Sequence, residues 1–248
     1  TSQSGYQHVW VRDNVHVSHA LYVSGRVREA AQTMSALMQF FVRHRRRFED
    51  IIHGRVKSAD PMSRPHVRFN GVTLQESRET WAHAQNDALG IFLWMYCTLA
   101  SEGILNPAPH EVETLTLFPR YFEDIRYWAD EDSGHWEEGR KIEASSIGAV
   151  VAGLAKLRAF LSEGRASAAL KGRSSRISDT FLSRLERRGR NELKRILPHE
   201  CVQTSSAKKR RYDGALLFLV YPLEVVGEAM RGRILKDIAE SLEGPYGI

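Results

Sequence analysis

The sequence predicts an all-α protein, and three observations support this fold class. Apolar residues recur at helical spacing over most of the 248 residues. Stretches that alternate like β-strands are few, and the clearest is HVRFNGVT at 66–73, which predicts a hairpin around Asn70-Gly71. Aromatic and charged residues collect in loops that precede helices. We therefore expect roughly seven to nine helices that alternate with loops.

The first predicted helices lie in the N-terminal half. Between residues 27 and 41 the apolar residues follow an i, i+3, i+4, i+7 stripe, which indicates one amphipathic helix. Asn86 or Asp87 is a suitable N-cap for a second helix, which runs to about residue 100. A short helix near 110–117 is followed by another from about Pro119, because proline is well tolerated in the first helical turn.

Three further helices are predicted in the C-terminal half. Ser145 or Ser146 is expected to cap a helix that continues to about residue 161. The segment 178–197 is amphipathic and begins with a serine of N-cap type. A last helix at about 226–242 ends before the Gly-Pro of EGPYGI. Residues 162–176 are small, basic and rich in Gly and Ser, so we expect an exposed linker there.

The composition, 42% hydrophobic and 26% charged, is typical of a globular protein. No run reaches the ~20 apolar residues of a membrane span, so no membrane association is expected. The N-terminal residues show no basic-then-apolar leader. Cys97 and Cys201 lie far apart and do not indicate a disulfide framework. These features favour a cytoplasmic location.

The net charge of +5 comes from three local basic patches, at 43–47, 184–195 and 208–211. Such patches can bind the phosphates of nucleic acids. Acidic residues interrupt them, and no nucleic-acid-binding motif accompanies them. We therefore expect solvated helix faces and loops, and a nucleic-acid-binding function remains only as a third alternative.

Tryptophan lies beside polar or charged side chains in three loops that each precede a predicted helix. A sugar ring stacks its apolar C–H face on an indole and offers hydroxyls to Asp, Arg and Gln. A carboxylic acid beside an aromatic wall can also stay protonated and assist a leaving glycosidic oxygen. The alternative for each loop alone is a core tryptophan with a structural ion pair. The three groups are Trp10, Arg12 and Asp13; Trp81, Gln85 and Asp87; and Trp136, Glu137 and Glu138.

No metal site and no cofactor are expected. The sequence contains neither an HExxH nor a CxxC motif, and its histidines show no ligand spacing. A G-x-S-x-G nucleophile motif is also absent.

Four segments in this order resemble the glycoside hydrolase family 15 domain: WVRDN at 10–14, WAHAQNDALGIFL at 81–93, GHWEEGRKIEASSIGAV at 134–150 and YDGALLFLVYPLEVV at 212–226. That family contains glucoamylases, related bacterial enzymes, and domains of the phosphorylase kinase alpha and beta regulatory subunits. The EASSIG part is more similar to the phosphorylase-kinase-related branch than to fungal glucoamylases.

The resemblance implies an (α/α)6 barrel, or six-hairpin toroid, whose loops at one end form the pocket. Residues 1–248 would then be a single domain, an N-terminal portion that lacks the last barrel helices. The resemblance also implies a role for each candidate residue. Glu137 matches the general acid, Glu138 its substrate-contacting neighbour, Arg12 and Asp13 the pair that holds the terminal glucose hydroxyls, Trp81 and Trp136 the aromatic wall, and Gln85 and Asp87 the polar positions after Trp81.

The leading functional hypothesis is an inverting hydrolase that releases glucose from the non-reducing ends of α-linked glucans. The family's general base lies in the C-terminal part of the barrel, and none can be nominated in this sequence. The alternative is a non-catalytic module that binds glucan or a protein partner, as in the phosphorylase kinase subunits. Whether the domain is catalytic stays open at this stage.

Overall fold

The computed structural model describes residues 8–163, 166, 177–245 and 247. The predicted linker at 162–176 therefore lies almost entirely outside the described residues. The described chain is mostly helical, as predicted. Its α-helices are α1 Val11–Val23, α2 Val27–Arg43, α3 Arg46–Ile52, α4 Asn86–Ser101, α5 Pro109–Leu115, α6 Leu117–Asp124, α7 Ala144–Ser162, α8 Asp179–Ile196, α9 Leu217–Val220 and α10 Glu228–Leu242.

Two small antiparallel sheets accompany the helices. Strand β1 (His8–Trp10) pairs with β2 (Arg68–Asn70), and β3 (Cys201–Val202) pairs with β4 (Lys209–Arg210). The hairpin predicted at 66–73 is therefore only partly correct. After β2 the chain does turn, with hydrogen bonds between Asn70 and Leu74 and between Asn70 and Gln75, each 2.9 Å. The principal partner of β2, however, is the distant β1.

Helices α1, α4 and α7 are consecutive neighbours, since α1 packs against α4 and α4 against α7. Helix α2 packs against α1, and α8 packs against α7. Arg12 and Asp13 lie in the first turn of α1 and Asp87 in the first turn of α4, not in the preceding loops as predicted. The other candidate residues lie in the segments just before α1, α4 and α7. This packing therefore allows the three loops to meet at one end of the helical layer.

The contact between α4 and α7 depends on small residues. A Cβ added at Gly90 would lie 2.5 Å from the carbonyl carbon of Ala149, and one at Gly153 would lie 2.5 Å from the Gly90 oxygen. Helix α7 is long and apolar enough to cross a membrane by length and composition, but 72% of its most apolar window is buried inside the protein. Burial of residues 144–154 on all sides explains why this part of α7 lacks a polar face.

Some predicted boundaries are wrong. Helix α7 begins at Ala144 after Glu143, so Ser145 lies inside the helix and is not its cap. The Ser145 hydroxyl instead donates to the Glu200 carboxylate (2.5 Å). Helix α6 begins two residues before Pro119. The predicted cap at Ser178 is confirmed, since its hydroxyl accepts from the Phe181 amide (3.1 Å).

The sequence pattern gives no bounds for α1, α3 or the short α9, although a helix is expected after the loop at Trp10. The inward face of α1 includes the buried Arg12 and Ser18, which interrupt the apolar stripe that marks a helix in the sequence. Helix α4 begins at Asn86, and neither Asn86 nor Asp87 serves as its cap. Both cysteines are free and buried, consistent with the expected absence of a disulfide framework.

Candidate active site

Arg12 is the centre of the candidate site. It lies in the first turn of α1 and is only 7% exposed. Its guanidinium donates to Asp87 (2.6 and 3.2 Å), to the Gln85 side chain (2.7 Å) and to the Gly134 carbonyl (2.6 Å). These bonds join the first turn of α1, the start of α4 and the loop before α7. A fork-shaped cation suits this role, because it can bond several acceptors at once.

Asp87 lies beneath this arginine and is 1% exposed. Its carboxylate also lies 3.3 Å from Nδ1 of His135. Burial alone would raise the pKa of Asp87, but Arg12 and His135 lower it below its usual range. Asp87 is therefore a buried carboxylate whose negative charge supports Arg12.

The loop over residues 132–141, here called the acid loop, is closed at its base. Asp132 and Lys141 exchange two backbone hydrogen bonds (2.9 and 2.8 Å), and the Ser133 amide donates to the Ala84 carbonyl (2.7 Å). Glu137 has a φ of +56°, in the left-handed region that costs a non-glycine residue roughly 1–2 kcal/mol. Such strain persists only where the surrounding structure imposes it, and strained residues of this kind are common at functional sites.

The Glu137 carboxylate is held at the edge of this network. Its Oε1 accepts a hydrogen bond from the Gln85 amide (3.2 Å) and lies 3.7 Å from Nη1 of Arg12. The Glu137 side chain is 25% exposed, whereas Asp87 is completely buried. A carboxyl group in this position is oriented by buried partners and is still accessible to a ligand.

Trp136 and Glu138 connect the acid loop to the segment after β3. The Trp136 indole is half exposed and donates to Asp213 (2.8 Å). Glu138 pairs with Lys141 (2.6 Å) and with Arg210, and Arg210 also pairs with Asp213 (2.7 Å). The hydrogen bond from Lys141, followed by that from Arg210, lowers the pKa of Glu138. The acid loop is thus tied to a fourth segment.

Buried carboxyl groups support the acid loop from below. A Cβ at Gly134, whose φ is +54°, would clash with the Glu143 carboxylate, so this position requires glycine. Burial is the main cause that raises the pKa values of Glu143 and Glu200, each to about 8. Burial likewise raises the pKa of Asp132. These groups favour their neutral forms, which reduces the cost of burying them.

Asp13 and Trp81 lie near the same end of the layer but outside the hydrogen-bonded network of Arg12. Asp13 is exposed on the first turn of α1. The Trp81 ring lies edge-on to Trp10, with 6.2 Å between ring centroids, and the Arg68 guanidinium lies 4.2 Å from its centroid. The indole nitrogen of Trp81 is buried without a hydrogen-bond partner in the described part of the chain.

The structure therefore joins most of the predicted site residues. Arg12, Gln85, Asp87 and Glu137 are in direct contact, and Trp136 and Glu138 join them through the acid loop. The sequence assigned no role to His135, Glu143, Glu200 and Arg210. His135 and Glu143 flank the WEE motif, so their position could have drawn attention to them, whereas Glu200 and Arg210 carry no such signal. Across 8–163 and 177–245, no group of three or more His, Cys, Asp or Glu side chains is arranged to hold a metal ion.

Comparisons with known proteins identify the family and the fold of this chain. The chain is 23% identical over 276 residues to "Probable phosphorylase b kinase regulatory subunit alpha" of Caenorhabditis elegans, with 97% of this chain and 21% of that protein aligned. Two solved glycosidase structures match it with TM-scores of 0.73, at 19% and 21% identity. Each match covers 98% of this chain and 63% of the glycosidase.

These structures confirm the predicted fold class, the helical six-hairpin fold of glycosidases. The chain spans less than two thirds of their length, and about a fifth of the kinase subunit. The sequence profile described as "Glycosyl hydrolases family 15" matches residues 1–221, which is most of the chain. The protein belongs to glycosyl hydrolases family 15.

Proposed function

We propose that this domain hydrolyses α-linked glucans at their non-reducing ends with inversion and releases glucose. One observation carries the proposal: the Glu137 carboxyl is partly exposed, and buried donors from two other segments orient it. A general acid needs a defined position relative to the leaving oxygen and access to it. Membership of a glycosyl hydrolase family supports the same chemistry.

In this proposal Glu137 donates its proton to the glycosidic oxygen as the bond to the leaving sugar breaks. Arg12 uses Nε and Nη2 for the buried network, so Nη1 beside Glu137 is the group that meets a substrate hydroxyl. Asp13, exposed on the same turn, binds a second hydroxyl. Trp136 supplies an exposed ring for the sugar's C–H face.

The other predicted residues act indirectly or at the edge. Gln85 and Asp87 are almost completely buried, so they position Glu137 and Arg12 without touching the sugar. Glu138 contacts substrate only at the side of its carboxylate that Lys141 and Arg210 leave open. Trp81 extends the aromatic wall next to Trp10. Inversion also needs a carboxylate roughly 6.5–9.5 Å from the acid to activate water, and we assign it to the C-terminal part of the family's barrel.

The proposal is tested in the full-length protein with malto-oligosaccharides. Glu137→Gln should reduce glucose release by about 10²–10⁴-fold, the usual contribution of a general acid, while calorimetry still detects oligosaccharide binding. Glu240→Gln, an exposed acid on α10, is the matched control and should keep full activity. Proton NMR should show the β-anomer as the first product. Survival of activity in Glu137→Gln would exclude Glu137 as the acid.

The second candidate is a non-catalytic glucan-binding or regulatory module. Its support is the likeness to a phosphorylase b kinase regulatory subunit and the double pairing of Glu138 with Lys141 and Arg210. An acid occupied by two cations is a poorer substrate contact than an open one. Oligosaccharide binding without any glucose release by the full-length wild-type protein would favour this candidate over hydrolysis.

A further inference from the structure

A surface depression of about 630 Å³ lies away from the candidate active site and shares no lining residue with it. One wall is the exposed face of α8, and the others come from the segment after α6, the end of β3 and the chain before α7. Its volume falls within the range of small-molecule sites, about 300–1,000 Å³. Residues that define its chemistry are Arg126, Trp128, Ile142, Arg188, Asn191 and Glu192.

Arg126 occupies an unusual backbone position in this depression. It follows the C-cap of α6 with a φ of +55°, and its amide donates to the Glu123 carbonyl (3.0 Å). Glycine is the usual residue at this place, because a side chain in the left-handed region costs roughly 1–2 kcal/mol. An exposed arginine at a strained position that glycine would satisfy suggests that the guanidinium itself is useful.

The charges in the depression are unbalanced. The Arg188 guanidinium lies 4.5 Å from the centroid of the Trp128 ring, a cation–π contact that holds it in place. Arg195 is paired with Glu192 (2.9 Å). Neither Arg126 nor Arg188 has an ion pair within the described residues. The excess positive charge is therefore on Arg126 and Arg188, beside Trp128.

This distribution selects a ligand with one anionic end and a neutral body. Two arginines suit a phosphate, which guanidinium groups can bind through parallel hydrogen bonds. The apolar side chains of Ile142 and Trp128 suit the C–H face of a sugar ring. Asn191 and Glu192 offer an amide and a carboxylate for hydroxyls. Glu192 would repel an extended polyanion at that end, such as a nucleic acid or an acidic peptide.

We propose that this depression binds a phosphorylated sugar, with the phosphate on Arg126 and Arg188 and the ring over Trp128 and Ile142. The site is separate from the proposed catalytic centre, so loss of one does not entail loss of the other. Asn191 lies one helical turn beyond Arg188 on the same face of α8, where it can meet a hydroxyl of the bound sugar.

The test is calorimetric titration of the protein with glucose 6-phosphate, compared with glucose and with inorganic phosphate. Saturable binding of glucose 6-phosphate is expected with a Kd below about 1 mM, and both fragments should bind at least tenfold more weakly. Arg126→Gly and Arg188→Gln should each weaken binding about tenfold or more, the loss of one charge-assisted hydrogen bond. Arg187→Gln, on the same helix but outside the depression, is the matched control.

Arg126→Gly also separates binding from folding. Glycine relieves the strain of the left-handed backbone at this position. The unfolding temperature of the Arg126→Gly variant should therefore equal or exceed that of the wild type, while binding of glucose 6-phosphate is weakened. The proposal is overturned if glucose 6-phosphate does not saturate near 1 mM, or if inorganic phosphate binds equally well. It is also overturned if Arg187→Gln weakens binding as much as the lining variants. Glucose release from malto-oligosaccharides should be the same in all these variants.

Discussion

Replacing Asp87 by asparagine should destabilise the protein strongly, although the two side chains have nearly the same shape. Asp87 and Arg12 are 1% and 7% exposed, and two hydrogen bonds of 2.6 and 3.2 Å join them. Asparagine removes the negative charge and turns an NH₂ donor toward a donor-only guanidinium. Removal of one partner from a buried ion pair leaves the other charge uncompensated, which typically costs 3–5 kcal/mol, so we expect about 3–5 kcal/mol here.

The assay is urea unfolding of the wild type and Asp87→Asn, with Glu240→Gln as the matched control. Lys236 and Glu240 form an i, i+4 pair on α10 at 3.7 Å, but their side chains are 70% and 64% exposed. Such a pair contributes only about 0.3–0.5 kcal/mol because solvent screens it. If Asp87→Asn lost as little stability as the control, the buried ion pair would not be what holds α1, α4 and the acid loop together.

The same variant should respond differently to acid. The pKa of Asp87 is lowered in the folded protein, chiefly because Arg12 overcomes the effect of burial. The stability that this shift provides is complete above the unfolded pKa of about 3.9 and is lost as the pH falls through the folded value. The difference between wild type and Asp87→Asn should therefore shrink below about pH 4. A difference that stays constant with pH would contradict the argument.

Two further predictions concern packing and the buried acids. Gly90→Ala should destabilise the protein by about 1–3 kcal/mol or more, because the added Cβ would lie 2.5 Å from the α7 backbone. Gly232→Ala, in open space on α10, should instead stabilise the protein by up to about 1 kcal/mol. Thermal unfolding measures both changes. The raised pKa values of Glu143 and Glu200 mean that the folded state holds protons that the unfolded state releases, so the stability that these two groups contribute should decline as the pH rises from about 4.5 to 8. Glu143→Gln should make this decline less steep. If urea unfolding gave the variant a plot of stability against pH parallel to that of the wild type, the raised pKa of Glu143 would be contradicted.

The helices that the sequence predicts well are those with one apolar face. Helix α8 follows its stripe and its serine cap closely, because one side contacts α7 and the other contacts water. Helices α4 and α7 are buried on nearly all sides, so their apolar residues have no contrasting polar face that would locate their ends. Their exact starts depend on tertiary contacts instead, such as the bond between Ser145 and Glu200.

The residue types of the site were predictable, but their partners were not. Arg12 and Asp87 are 75 positions apart, and Trp136 and Asp213 are 77 apart. Local spacing carries no information about such pairs, and only the packing of α1, α4 and α7 brings them together. The sequence likewise gives no reason to expect a buried carboxyl at Glu200, because its partner is a serine that resembles a helix cap.

Several segments orient the acid loop, and this bears on which proposed function applies. Arg12 binds the Gly134 carbonyl, Asp213 binds the Trp136 indole, and Arg210 binds Glu138. The position of Glu137 is therefore defined by the folded protein before any ligand arrives, which is what efficient proton donation requires. A glucan-binding module would need the same order to recognise a sugar. Hydrolysis additionally requires a second carboxylate, and the product released from malto-oligosaccharides by the full-length protein distinguishes the two functions. β-Glucose requires a water activated opposite Glu137, whereas oligosaccharide binding without glucose release favours the non-catalytic module.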